Sequence, residues 1–145
     1  MSIVEIETRA KTRAKTFKEQ EIKSKRRILL VDDEPDITYT LQKILERLGY
    51  CIDSYNDSAL ALDNFKASMY DLVILDIRMP KMNGYQLYER MKEIDQGLKA
   101  CFMTANEIYE DDSINMVSEL LMKCIIKKPV TLDELKIKVH MQLTN

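Results

Sequence analysis

Three carboxylates, one hydroxyl and one ammonium are the groups in this chain best placed to do chemistry together. Asp32-Asp33-Glu34-Pro35 follows the apolar run Ile28-Leu29-Leu30-Val31, and Asp76 follows Leu72-Val73-Ile74-Leu75. Thr104 follows the run from Ala100 to Met103, and Lys128-Pro129 follows Cys124-Ile125-Ile126. Carboxylates brought close repel, and two of them a few Å apart do not easily both stay ionised. Lys128 compensates part of that charge. A hard divalent cation is the natural remainder: Mg²⁺ takes oxygen ligands, keeps several waters and works with one or two carboxylates plus phosphate oxygens. A carboxylate beside such an ion and a lysine suits nucleophilic attack on phosphorus. The ion, Lys128 and Thr104 can each stabilise one equatorial phosphoryl oxygen. Asp76 stands alone at the end of its run and is the candidate nucleophile. Asp32 and Asp33 are adjacent and better suited to holding the ion.

For these residues to meet, the apolar runs must be strands of one sheet. Between them the spacing turns helical. Apolar residues at 37, 41, 44, 45 and 48 predict a helix from Asp36 to Leu48 that stops at Gly49. Cys51 to Tyr55 alternates like a strand, and Ala59, Leu62 and Phe65 share a helix face. Leu87, Met91 and Ile94 share another, between Tyr85 and Ile94. Residues 107–121 predict a fourth helix. Thr131-x-x-Glu134 is a capping box opening a fifth, with Leu132, Leu135, Val139 and Leu143 facing inward. Five strands thus alternate with five helices. Continuously apolar strands imply a parallel sheet covered on both faces, with ligands bound outside the carboxyl ends of the strands. All three prolines fall in loops at that edge.

The chain has 145 residues, of which 46% are hydrophobic, enough for one domain with a real core. The net charge of −2 hides an asymmetry: residues 1–27 hold nine Lys/Arg against four Asp/Glu. We therefore expect a basic tail over 1–25, flexible or weakly helical, and a domain over 26–145. A polyanion is not the expected partner, because the tail's charge excess is small. No run approaches the ~18 apolar residues of a membrane span, and no secretory signal opens the chain. A cytoplasmic location is expected. Cys51, Cys101 and Cys124 form no C-x-x-C pair and predict three small buried hydrophobes in a reducing compartment. The single histidine, His140, predicts a surface helix position and excludes most histidine-based catalysis.

Taken together, Leu30-Val31-Asp32-Asp33-Glu34-Pro35, Leu75-Asp76-Ile77-Arg78-Met79-Pro80-x-x-Asn83-Gly84, Met103-Thr104-Ala105 and Lys128-Pro129 resemble the receiver domain of two-component response regulators. The resemblance covers roughly residues 26–145. It implies a flavodoxin-like, doubly wound (βα)5 domain that takes a phosphoryl group on Asp76 from a histidine kinase, a phosphotransfer protein or a small acyl phosphate. It implies Mg²⁺ ligation by Asp33, Asp76 and the backbone carbonyl of Arg78, with Asp32 holding a metal-bound water. Thr104 and Lys128 would engage the phosphoryl group. The Lys128–Pro129 peptide is usually cis in this family, and Gly84 permits the turn into the third helix. Output is expected through protein contact on the face of the fourth helix, fifth strand and fifth helix, and a homodimer is possible there.

The chain also departs from the family. Ile125 stands where an aromatic residue usually couples to the threonine, so an aliphatic side chain there reports activation differently or not at all. Tyr109 is a candidate substitute. Leu120-Leu121-Met122-Lys123 replaces the usual small turn, and Met116, Val117, Leu120, Leu121 and Met122 exceed what one helix face needs. Arg78 and Asn106 flank the entry to the acyl phosphate. Two other functions compete: a degenerate receiver acting as a constitutive interaction module, and an aspartate-nucleophile phosphatase. The second needs a general acid two residues after the nucleophile, where this chain has Arg78.

Overall fold

The computed structural model describes residues 26–105 and 124–144. Five strands, β1 (Arg27–Val31), β2 (Cys51–Tyr55), β3 (Leu72–Asp76), β4 (Ala100–Thr104) and β5 (Ile125–Lys127), form one sheet. Its order is β2-β1-β3-β4-β5, and every neighbouring pair is parallel. The described helices are α1 (Pro35–Arg47), α2 (Ser58–Asp63), α3 (Gly84–Ile94) and α4 (Leu132–Thr144). The basic tail, the helix expected over 107–121, and Asn106, Tyr109, Met116, Val117, Leu120, Leu121 and Met122 lie outside the described residues.

The period of two along each strand sends alternate residues to opposite faces. Ile28, Leu30, Leu72, Ile74, Cys101, Met103 and Ile126 pack with Leu41 and Leu45 of α1 and Leu135, Val139 and Leu143 of α4. Leu29, Val31, Val73, Leu75 and Phe102 pack with Ala61 of α2 and Leu87, Tyr88 and Met91 of α3. Strands covered on both sides must be apolar at every position, which is why β1 and β3 read as unbroken runs. Gly49 ends α1 with φ 98°, a left-handed conformation that Gly adopts without steric penalty. At the opposite edge from the strand-end acids, the Arg27 guanidinium pairs with Asp53 at 2.7 Å and the Tyr70 hydroxyl donates to the same carboxylate oxygen at 2.7 Å. This fixes where β1 enters the sheet.

Several expectations need correction. Leu132 and Ile94 are about half exposed rather than inward. Each sits at a helix end, where the neighbouring layer no longer reaches. Ala59 is exposed, and Ser58 and Ala61 form the buried face of α2. Pro35 does not lie in a loop but occupies the first turn of α1, where its missing N–H is harmless. The cysteines are not three buried thiols. Cys101 and Cys124 form a disulfide, and Cys51 is free and exposed at the start of edge strand β2. Register creates that pair, because parallel pairing sets Phe102 opposite Ile125 and so brings the residues before them together.

Candidate functional site

The chain direction reverses its lateral progress between β1 and β3: the order runs outward to β2, then back past β1 to β3. Such a switch point leaves a crevice at the carboxyl ends of the two strands. Asp32 leaves β1 there and Asp76 ends β3. Both carboxylates are almost wholly buried, whereas Asp33 reaches solvent. Oxygen atoms of Asp32, Asp33 and Asp76 all lie within 4.8 Å of one another. Lys128, which directly follows β5, extends its ammonium to 2.7 Å from Asp32 and 3.2 Å from Asp76, with Glu34 at 3.9 Å. The Lys128–Pro129 peptide is cis, as the resemblance implied.

The backbone holds these groups in place. The Lys128 amide donates to the Thr104 carbonyl at 2.8 Å, so β4 and β5 deliver their terminal residues side by side. Thr104 is half-buried at the end of β4, and Arg78 is exposed in the loop after β3. Asp32 accepts from the Glu34 amide at 2.9 Å. Asn56 donates to the Asp32 carbonyl at 2.8 Å and to the buried Thr38 hydroxyl at 2.9 Å. Asn56 and Thr38 escaped the sequence reading. The available signal was that Asn56 directly follows β2 at the same sheet edge, where its contact is with the Asp32 backbone.

Gly84 opens α3 behind an Asn83–Gln86 capping box. It sits at the turn into the helix, as expected, and its backbone there is not left-handed. The reason for glycine is proximity: a Cβ would press on the Asp76 carbonyl oxygen. Gly84→Ala is expected to destabilise the protein by about 1–3 kcal/mol through this overpacking, although alanine is the better helix former. A denaturant midpoint no lower than wild type would show that the loop absorbs the methyl group.

Burial, followed by repulsion from Asp32, raises the Asp76 carboxyl from 3.8 to about 6, against the opposing pull of Lys128. Burial works against the Lys128 ammonium, but Asp32 and Asp76 outweigh it and hold its pKa above the ordinary value. A carboxyl with a raised folded-state pKa binds its proton more readily folded than unfolded. The ionised form therefore costs stability, fully above about pH 6, and the cost disappears as the pH falls below about 4. Asp76→Asn is accordingly expected to stabilise the chelator-treated protein by roughly 2–3 kcal/mol at pH 7.5. The gain should vanish near pH 4; a gain independent of pH would disprove the charge account.

The donor set fits a hard divalent cation. It is all oxygen, three carboxylates face a single ammonium, and one carboxylate is open to the waters that such an ion retains. Among the described residues this is the one cluster of three metal-capable side chains.

Fold and site together define a doubly wound parallel α/β domain with an acidic crevice at its topological switch point, guarded by a lysine from the last strand. The family model for the response regulator receiver domain matches residues 28–140, and the chain belongs to that family of two-component systems, whose members are signalling switches. Sensor histidine kinase RcsC of Salmonella typhi is 37% identical over 109 residues, covering 75% of this chain but 11% of RcsC. Sporulation initiation phosphotransferase F of Bacillus subtilis is 34% identical over 110 residues, covering 76% of this chain and 87% of that protein. Among solved structures, response regulator protein TrrA of Thermotoga maritima in complex with Mg²⁺-BeF is 36% identical with TM-score 0.69, covering 81% of this chain and 99% of TrrA. TrrA in complex with histidine kinase ThkA is likewise similar, at 36% identity and TM-score 0.68, covering 81% of this chain and 98% of TrrA. No helix among the described residues is long and apolar enough to cross a membrane.

Proposed function

We propose that this chain is a phosphoacceptor switch in which Asp76 receives a phosphoryl group from the phosphohistidine of a histidine kinase or a phosphotransfer protein. The observation that carries the reading is the placement of Asp76 within one cluster of three carboxylates and 3.2 Å from the Lys128 ammonium. An Asp76 oxygen forms the new O–P bond while the P–N bond breaks, its electron pair returning to the imidazole nitrogen. Lys128 and Thr104 bind the phosphoryl oxygens. Asp33, Asp76 and the Arg78 carbonyl are assigned to Mg²⁺, with Asp32 holding a metal-bound water. When bound, the ion neutralises charge on the transferring group. Binding of TrrA to Mg²⁺-BeF and to a histidine kinase supports this assignment by similarity.

The chain acts on itself, taking and losing phosphate, rather than turning over an external substrate. Its location is cytoplasmic, where such kinases present their phosphohistidine. Its output is a protein partner, or a second copy, on the face of the fourth predicted helix, β5 and α4.

The test is intact mass after incubation with acetyl phosphate. One phosphate added with Mg²⁺ and none with chelator is the expected result. No adduct, together with no Mg²⁺-dependent binding of beryllofluoride, would make the domain a constitutive interaction module instead.

A further inference from the structure

Cys101 and Cys124 sit where a covalent bond has mechanical consequences. Cys101 is on β4, three residues before Thr104. Cys124 directly precedes β5, four residues before Lys128. Their Cα atoms are 4.7 Å apart, inside the range that a disulfide spans. Both are buried among Met103, Ile126, Leu135, Val139 and Leu143 between the sheet and α4. That apolar surrounding accepts two thiols as readily as a disulfide, since a free cysteine packs as a small hydrophobe. Nor does pairing of the strands need the bond. The Phe102 amide donates to the Cys124 carbonyl at 3.0 Å and the Lys128 amide to the Thr104 carbonyl at 2.8 Å, main-chain bonds that join β4 and β5 without involving the sulfur atoms. The core is therefore compatible with both redox forms.

β5 is the strand on which such a bond acts most. It has three residues and, among the described residues, pairs with β4 alone at the end of the sheet. A short edge strand is the easiest part of a sheet to open locally. A covalent tie one residue before it limits that opening.

We propose that Cys101 and Cys124 form a reversible thiol–disulfide site that clamps β5, and with it the position of Lys128 in the acidic crevice, when oxidised. The co-reactant class is a low-molecular-weight disulfide such as oxidised glutathione. The thiolate of Cys124, the less deeply buried of the two, attacks one glutathione sulfur and releases one glutathione thiolate. Cys101 then attacks the Cys124 sulfur of that mixed disulfide, releasing the second. Two thiols are oxidised, one glutathione disulfide is reduced, and the two protons pass to the departing glutathiones. Reduction runs the same steps backward.

The full chain is equilibrated in glutathione buffers from reducing to oxidising, quenched with acid, denatured and alkylated, and its thiols are counted by intact mass. Three alkylated cysteines are expected at the reducing end; at the oxidising end Cys101 and Cys124 are lost to the protein bond, and the exposed Cys51 is found alkylated or carrying one glutathione. The loss should occur in a single two-thiol step that reverses without denaturant. In the same samples, hydrogen exchange at the Phe102 and Lys128 amides should slow by about tenfold or more on oxidation, as expected when local opening is suppressed. The double variant C101A/C124A should form no disulfide within the protein and keep one exchange rate throughout; Cys124→Ser serves as the control if the double variant fails to fold. Three thiols at every poise overturn the proposal. So do stable glutathione adducts in place of the protein bond, a bond that native protein will not release to reductant, and equal exchange in the two redox forms.

Discussion

Asp76→Ala takes up no phosphate from acetyl phosphate and Mg²⁺ under conditions in which the wild-type chain gains one. The expectation follows from what each carboxylate is free to do. Asp32 has one oxygen on Lys128 at 2.7 Å and the other accepting from the Glu34 amide at 2.9 Å, and it is wholly buried. A nucleophile needs an oxygen that can leave its partners, and Asp32 has none to spare. Asp33 reaches solvent, where water competes for the phosphoryl group. Asp76 is held at 3.2 Å from Lys128, a looser grip, with a carboxyl that its burial already makes more basic than usual. Greater basicity makes a carboxylate the better nucleophile. Intact mass decides the matter. Because Asp76→Asn is expected to gain stability rather than lose it, absence of the adduct in that variant cannot be blamed on misfolding. An adduct mapped to Asp32 or Asp33 in either variant would displace Asp76 from its assigned role.

Lys128→Met loses about 3–5 kcal/mol of stability at pH 7.5 in chelator, the range expected when one partner of a buried charge pair is removed. Methionine keeps the length and apolar stem of the side chain, so the loss measures the ammonium rather than a cavity. Asp32 and Asp76 then face each other in the crevice without the cation that now stands between them. The deficit should shrink toward pH 5, because Asp76 can take up a proton as the pH falls through about 6. It should shrink also on adding Mg²⁺ at pH 7.5, since an ion that binds only the folded form stabilises by mass action. Thermal denaturation of wild type and variant across pH, with and without Mg²⁺, provides the measurement. A variant as stable as wild type in chelator at pH 7.5 would mean that the lysine does not relieve the carboxylates' repulsion.

The sheet was legible in the sequence because its strands are buried on both faces. Ile28 to Val31 and Leu72 to Leu75 have no polar residue to blur the pattern, and each ends abruptly in acid. The site was legible for the same reason, since strand ends at one sheet edge converge wherever the order of strands puts them. What escaped the reading depends on distances between segments remote in sequence. Helical spacing places Leu132 and Ile94 on the inward stripes, but whether a stripe is covered depends on how far the sheet extends beneath it. Glycine at 84 suggested a turn into α3, but that its constraint is the nearby Asp76 carbonyl shows only in three dimensions. The Cys101–Cys124 pair has 22 intervening residues and no motif, so only the β4–β5 register reveals it. Asn56, directly after β2, meets Thr38 of α1, and no spacing rule connects the two.

α4 does more than cover the sheet. Lys138 donates to the Ile125 carbonyl and Glu134 lies 3.5 Å from the Lys127 amide, while the two side chains pair with each other at 2.9 Å. These charged groups occupy main-chain positions of β5. An edge strand with open amides and carbonyls is a template on which a foreign strand can build, and so an entry to aggregation. Here the last helix occupies that template with its own side chains. The outward main-chain groups of β5 are thereby met within the chain rather than left for a foreign strand, and loss of either Lys138 or Glu134 is expected to expose them.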